Sequence, residues 1–90
     1  MTEEEIFIKN NILQSEFSKY LLEHPEIGNQ IPFNAQVILL PQDDTELCKK
    51  NIEIAEAQKE TGQKVVYVYI DKLMPQMSRI VNPKIKIEAA

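Results

Sequence analysis

The sequence predicts a small α/β fold built around one parallel pair of strands. Two short apolar runs, Gln36–Pro41 and Val65–Ile70, lack clean polar alternation, which is typical of strands covered on both faces. Between them, a polar segment from Asp43 to about Glu60 is long enough for a crossover helix. Because parallel neighbours need such a crossover, and crossovers are almost always right-handed, we expect a right-handed βαβ unit at the centre of the chain.

A longer helix is expected before this unit, from Glu3 to Glu23. Thr2 and Glu5 have the spacing of a capping box, and apolar residues recur at helical intervals along the segment. The helix should break at His24, because the proline that follows disfavours helical geometry at the residue before it. Pro25–Gly28 then suits a short helical turn, since proline is favoured at the first helical position.

The C-terminal segment, residues 71–90, is predicted to be a loop followed by a weaker edge strand. Met74–Pro83 contains two prolines and no clear period, so we expect an ordered loop there. Lys84–Glu88 alternates between charged residues and isoleucine, which predicts a half-exposed strand with Ile85 and Ile87 inward. Charged alternate positions also suit an edge strand. We expect residues 1–90 to form one domain.

Composition and charge exclude several classes of function. The net charge is -4 and Arg79 is the only arginine, so we expect no nucleic-acid partner, because phosphate binding relies on clustered Lys and Arg. The chain has no apolar run of about 18 residues, and we expect no membrane span. The single cysteine fits a reducing compartment, and the acidic N-terminus does not fit a secretory signal peptide. We therefore expect a cytoplasmic protein.

Three aspartates are candidates for a metal site. Asp43 and Asp44 follow the first predicted strand and Asp71 follows the second. Ligands of open parallel sheets gather at the carboxyl ends of the strands, and neighbouring carboxylates there could hold Mg²⁺. The alternative is structural: Asp43 or Asp44 caps the following helix, and Asp71 ends a strand. We favour the structural interpretation and expect no cofactor.

Cys48 is the candidate nucleophile of the chain. It lies near the start of the predicted crossover helix, where a thiolate is favoured. A nucleophilic cysteine usually needs a base, and nothing in the sequence places the only histidine, His24, near it. We therefore interpret Cys48 as a small buried hydrophobic residue. We assign no catalytic residue and favour a protein that is not an enzyme.

Four segments of the chain resemble a known family. The run EFSKYLLEHPE at residues 16–26 is followed by IP at 31–32, LPQDD at 40–44 and VVYV at 65–68. Together they resemble a family of small uncharacterised prokaryotic proteins known as a domain of unknown function. The resemblance covers most of the chain to about Ile70 and implies a compact α/β domain in a prokaryotic cytoplasm. It implies no activity and no functional residue.

The predicted sheet is narrow and its strands are apolar on both faces. Two substantial helices are too few to cover both faces, and an open face with Tyr67 and Tyr69 would be an unusually large apolar patch for a soluble monomer. We expect Tyr67, Tyr69, Ile85 and Ile87 to form an interface, either with another protein or in a homodimer, the commonest closed assembly. Our first hypothesis is a non-enzymatic interaction or self-assembling module. The alternative is a small-molecule or metal-binding protein, or an enzyme, that uses the carboxyl ends of the strands.

Overall fold

A computed structural model, which describes residues 1–89, confirms the predicted helix–strand–helix–strand order. The elements are α1 (Glu3–Glu23), α2 (Pro25–Gly28), β1 (Gln36–Pro41), α3 (Thr45–Gln58) and β2 (Val65–Ile70). β1 and β2 form a two-stranded parallel sheet. Ala90, the last residue of the predicted domain, lies outside the described residues. None of the helices described here is long and apolar enough to cross a membrane.

Both long helices begin at a side-chain cap. Thr2 Oγ1 accepts a hydrogen bond from the Glu5 N–H at 3.1 Å, as the capping-box spacing predicts. Asp44, rather than Asp43, caps α3, because its Oδ1 accepts from the Leu47 N–H at 3.1 Å. Each cap satisfies an N–H group that has no partner within its helix. The cap at Asp44 explains why α3 begins at Thr45, two residues later than predicted.

One face of the sheet packs against α1. Leu39 of β1 is buried with Leu13 of α1 and Leu47 of α3, and Val68 and Ile70 of β2 pack against this cluster. Leu39 lies opposite Val68 in the parallel register, so both strands present side chains to the same helix. The α1 face of the sheet is therefore the principal core of the molecule.

The opposite face is covered over β1 but not over β2. Ile38 and Leu40 are buried with Ala55 of α3, whereas Tyr67 and Tyr69 of β2 are exposed. Successive side chains of β2 thus alternate between a half-buried face and an exposed face from Val66 to Ile70. Val66, Val68 and Ile70 on the α1 face are half-buried rather than fully buried, because β2 is an edge strand and α3 packs against β1.

The prediction of a C-terminal strand is not met within the described chain. Lys84–Glu88 forms no strand, and Ile85 and Ile87, predicted to point inward, are 87% and 90% exposed. The radius of gyration is 18.5 Å, against about 12 Å for a compact chain of this length, because the segment projects from the body. A segment with an alternating sequence becomes a strand only when its backbone can hydrogen-bond to a neighbouring strand. Within the described chain, Lys84–Glu88 pairs with no strand. We call residues 71–89 the C-terminal arm.

Candidate interaction surface

The C-terminal arm is the most apolar exposed part of the molecule. Its polar contacts are local: the Ile80 N–H donates to Ser78 Oγ at 3.2 Å, and Lys86 pairs with Glu88 at 3.0 Å. Fully burying an aliphatic side chain contributes about 1.5–3 kcal/mol relative to leaving it in water. Burying the exposed apolar side chains of the arm against another apolar surface would therefore be favourable. These side chains are those of Leu73, Met74, Met77, Ile80, Val81, Ile85 and Ile87.

A second exposed apolar surface lies on β2, on the face away from α1. Val65 is half-buried there, Tyr67 is exposed, and Tyr69 is 68% exposed. Tyrosine combines a large apolar ring with a hydroxyl that can remain hydrated, and it is therefore suited to an interface. We call the side chains of Val65, Tyr67 and Tyr69 the tyrosine face. Sequence reasoning identified both tyrosines as interface residues but did not include Val65.

The two edges of the sheet differ in how their backbone groups are satisfied. At the edge of β1, Asn51 Nδ2 donates to the Leu39 carbonyl at 2.8 Å, and Cys48 Sγ donates to the Pro41 carbonyl at 2.8 Å. Both donors lie on α3, which therefore shields this edge. No such cover is found over β2 among the described residues. The sheet has one covered edge and one free edge.

Asn10 is a contact residue that sequence reasoning missed. It exchanges amide hydrogen bonds with Asn51 between α1 and α3, at 2.8 and 2.9 Å. The signal was present in the helical spacing, because Asn10 falls between Ile6 and Leu13 on the side of α1 that faces the core. A polar residue on that side predicts a polar partner on the facing helix. Asn51 also donates to the Leu39 carbonyl, so one side chain has both a side-chain partner and a backbone partner.

The three predicted metal-binding aspartates are not gathered at one point. Within residues 1–89, no group of three or more His, Cys, Asp or Glu side chains is arranged to hold a metal ion. A cavity of about 270 Å³ at the carboxyl ends of the strands is lined by Asp43 and Asp44, together with Lys9 and Leu73, but not by Asp71. Asp43 and Asp44 thus share a cavity, while Asp71 lies outside it.

Asp44 already has two partners within the chain. Lys9 Nζ donates to its Oδ2 at 2.9 Å, and the Leu47 N–H donates to its Oδ1. These two donors hold the pKa of the Asp44 carboxyl below its usual value. The same contact raises the pKa of Lys9. A cation at this carboxylate would have to compete with an ammonium group and a helix N-terminus.

Cys48 is half-buried, and its Sγ donates to the Pro41 carbonyl. Burial raises the pKa of its thiol, and the charges of Asp44 and Asp43 raise it further. His24 lies at the junction of α1 and α2, with its ring 4.2 Å from that of Tyr20. A thiol with a raised pKa holds little thiolate at neutral pH. The environment of Cys48 therefore suits the backbone contact to Pro41 better than nucleophilic attack.

A further cleft of about 440 Å³ lies between α1 and α3, over the first half of β1. Neutral side chains line it throughout, with Phe17 and Ile54 among the apolar ones. A neutral lining of this kind offers hydrogen bonds but no charge to recognise a phosphate or carboxylate. Its polar contributors are Asn10, Gln14, Ser18, Gln36, Asn51 and Gln58.

Comparison with known families gives a match over most of the chain. The model of a family of unknown function (DUF5647) matches residues 5–83. No curated protein and no solved structure matches the chain. The match includes β2 and most of the arm, and it stops just before Lys84.

Proposed function

The chain belongs to DUF5647, and because that family has no known function, we propose from the structure that the protein is a self-associating interaction module. In this proposal two copies form a homodimer through the C-terminal arm and the tyrosine face. The interface residues are Tyr67, Tyr69, Ile85 and Ile87. In this proposal the module needs no cofactor and lies in the cytoplasm, as the composition predicts, of a prokaryote, as the family resemblance implies.

The exposure of the arm is the observation that carries this proposal. Ile85 and Ile87 lie fully in water at the end of an extended segment of 19 residues. Such a segment spans up to about 60 Å, so it can reach a second molecule. Hydrated apolar side chains in this number are unusual for a free soluble chain. Association would bury them without any change in the body of the fold.

The tyrosine face supports the proposal independently of the arm. Its two exposed rings lie on the strand that directly precedes the arm. Each copy therefore carries both an apolar segment that needs cover and an apolar face that can provide it. Two such copies are self-complementary, as the two-fold symmetry of a dimer requires. A stable interface buries about 1,200–2,000 Å² in total, so both surfaces are expected to take part in it.

Light scattering of the full chain at micromolar concentration tests the proposal. We expect twice the chain mass of 10.4 kDa. Ile85→Asp combined with Ile87→Asp should shift the protein to the monomer mass, because two charges would enter the apolar interface. Leu22→Asp is the matched control, since Leu22 is also exposed but lies on α1. A wild-type mass of one chain, or equal effects of the arm variant and the control, would contradict the proposal.

The second candidate function is binding of a small ligand or metal ion at the carboxyl ends of the strands. It is favoured by the cavity that Asp43, Asp44 and Lys9 line there. Carboxylates suit Mg²⁺, and an ammonium group suits an anionic group on a ligand. Titration with Mg²⁺ or Mn²⁺ to millimolar concentration, followed by NMR of the aspartate side chains, tests the metal. Unchanged signals would rule out a metal ion here.

A further inference from the structure

The backbone of β2 presents unpaired hydrogen-bonding groups along its outer edge. The Gln36 N–H donates to the Lys64 carbonyl at 2.8 Å, and the Gln42 N–H donates to the Ile70 carbonyl at 2.7 Å. In a parallel ladder, alternate residues of each strand face the partner strand. The residues of β2 that face β1 are therefore Lys64, Val66, Val68 and Ile70. The N–H and C=O groups of the tyrosine face residues point away from β1.

This outer edge lacks the usual protection against pairing. Native edge strands are blunted by charged side chains, proline, bulges or a covering loop. The six residues of β2, Val65–Ile70, include no charge and no proline, and they pair with β1 in continuous register. Among the described residues, no hydrogen bond reaches the outward backbone groups of Tyr67 or Tyr69. The edge can therefore accept another strand.

The end of the arm has the pattern that such an edge would accept. Lys84–Glu88 is five residues long, and it alternates charged residues with isoleucine. Placed beside β2, it would put both isoleucines on one face and the charged residues on the other. The open face of β2 is the tyrosine face. Ile85 and Ile87 would therefore lie against Tyr67 and Tyr69, while the charged side chains point to the opposite side.

The charges of the arm and the body are complementary. Residues 1–71 carry six basic and thirteen acidic side chains, whereas residues 72–90 carry four basic and one acidic. Two of those basic groups, Lys84 and Lys86, lie in the segment Lys84–Glu88 at the end of the arm. An acidic body attracts a basic segment, and it repels partners that are themselves acidic. The body of another copy is therefore a suitable electrostatic target for the arm.

The second copy is the partner that fits these observations. The arm extends away from its own β2, and thirteen residues, 71–83, separate the two segments that would pair. A spacer of that length reaches roughly 43 Å. Exchange of arms between two copies satisfies both free edges at once and closes the assembly with two-fold symmetry.

We infer that Lys84–Glu88 of each copy adds as a third strand to the free edge of β2 in the other copy, with Ile85 and Ile87 beside Tyr67 and Tyr69. This inference rests on the proposed self-association and names the segment and the edge that make it. The exchanged strand satisfies the outward backbone groups and places two isoleucines beside the exposed tyrosine rings. It also explains why an alternating segment lies unpaired in the single chain.

Isotope-filtered NMR on a mixture of labelled and unlabelled full chains tests the inference. We expect intermolecular contacts between the methyl groups of Ile85 and Ile87 in one copy and the rings of Tyr67 and Tyr69 in the other. A dimer mass without these contacts would overturn strand exchange and leave the proposed self-association intact. A monomer mass would overturn both. Contacts within one chain only would show that the arm folds back on its own edge, which also overturns the exchange.

Amide hydrogen exchange provides a second readout of the same edge. The Val66 and Val68 amides face β1 and should be protected at any protein concentration. The Tyr67 and Tyr69 amides point outward, so we expect their protection to rise with protein concentration as dimers form. The arm variant with aspartate at positions 85 and 87 should lose this rise. Rapid exchange of both tyrosine amides in the dimer would contradict strand pairing at this edge.

The electrostatic part of the inference has a matched control. Lys84→Gln with Lys86→Gln removes two positive charges from the arm, and Lys49→Gln with Lys50→Gln removes two from α3, where Lys49 is exposed and Lys50 is partly exposed. We expect the arm pair to weaken dimerisation several-fold more than the α3 pair, and added salt to reduce the difference. Equal effects of the two pairs would show that net charge, and not the arm, controls association.

Discussion

Asn10 and Asn51 bind each other through two amide hydrogen bonds, with the Nδ2 of each donating to the Oδ1 of the other at 2.8 and 2.9 Å. Asn51 Nδ2 also donates to the Leu39 carbonyl at 2.8 Å. One buried side chain thus links both long helices to β1. In a chain whose sheet has only two strands, this contact positions α3 along the edge of β1.

Replacing Asn51 with leucine should strongly destabilise the fold. Asn51→Leu leaves the Leu39 carbonyl and the Asn10 amide without partners in a buried site, at a cost of about 1–3 kcal/mol for each group. We expect a loss of roughly 2–4 kcal/mol in the free energy of unfolding, measured by urea denaturation. The control is Asn11→Leu, because Asn11 follows Asn10 on α1 but is exposed. It should change the free energy of unfolding by less than about 0.5 kcal/mol.

Truncating Leu47 should cost far more stability than truncating Leu22. Leu47 is 2% exposed and is buried with Leu13 and Leu39, whereas Leu22 is 83% exposed. Leu47→Ala removes buried methyl groups and leaves a cavity, so we expect a loss of about 2–5 kcal/mol. Leu22→Ala should be nearly neutral, because its side chain is already in water. Thermal unfolding of both variants checks this, and similar midpoints would place Leu47 outside the core.

The contribution of the Asp44 carboxylate should disappear in acid. The Lys9 ammonium and the Leu47 N–H lower the pKa of Asp44 in the folded protein. Stabilisation of this kind is present above the unfolded pKa of about 3.9 and is lost as pH falls through the lower folded pKa. Asp44→Asn keeps a capping oxygen but removes the charge. We expect wild type to exceed this variant in stability at pH 7, and the difference to vanish in strong acid.

Denaturation of both proteins between pH 7 and pH 2 measures this difference. Asp43→Asn is the control, since it removes an equal charge from the neighbouring residue, which does not cap the helix. Its effect at pH 7 should be smaller than that of Asp44→Asn. A stability difference for Asp44→Asn that grows toward low pH would have the wrong sign and would refute the assignment.

The Cys48 thiol should react slowly with iodoacetamide at neutral pH. Burial and the nearby Asp44 and Asp43 carboxylates raise its pKa, so little thiolate is present, and Sγ is engaged with the Pro41 carbonyl. We expect native labelling to be at least tenfold slower than labelling in urea. Asp44→Asn should increase the native rate, because it removes one of the carboxylates that raise the pKa. Equal native and unfolded rates would show that Cys48 is open to solvent.

Much of the fold could be predicted because its signals are local in the chain. The Thr2 cap and the break before Pro25 act on backbone groups within a few residues, and both were correctly placed. The crossover helix was expected to extend to about Glu60, and α3 ends at Gln58. The parallel pairing of β1 and β2 could also be predicted, because the segment between them has the length of a crossover helix, and parallel neighbours need such a connection.

The candidate site depended instead on contacts between residues that are distant in the sequence. From the sequence, either Asp43 or Asp44 could cap α3. In the structure Asp44 is the cap, and it also pairs with Lys9, which is distant in the sequence. Asn51 was visible as a polar residue in an apolar stripe, but its partner Asn10 lies 41 positions away. Helical or strand periodicity assigns a side chain to a face, and it carries no information about what packs on that face.

The arm shows this difference most clearly. The alternation of Lys84–Glu88 predicted a half-exposed strand with Ile85 and Ile87 inward, whereas the described chain forms no strand there and both side chains are exposed. A strand, however, becomes stable only when a neighbouring edge supplies hydrogen bonds and an apolar surface. Whether that edge belongs to the same chain depends on the path of residues 71–83, and the tertiary structure directs this path away from the body. The sequence pattern thus determines that Lys84–Glu88 can form a strand. Only the tertiary structure determines whether a free strand edge of the same chain lies close enough to pair with it.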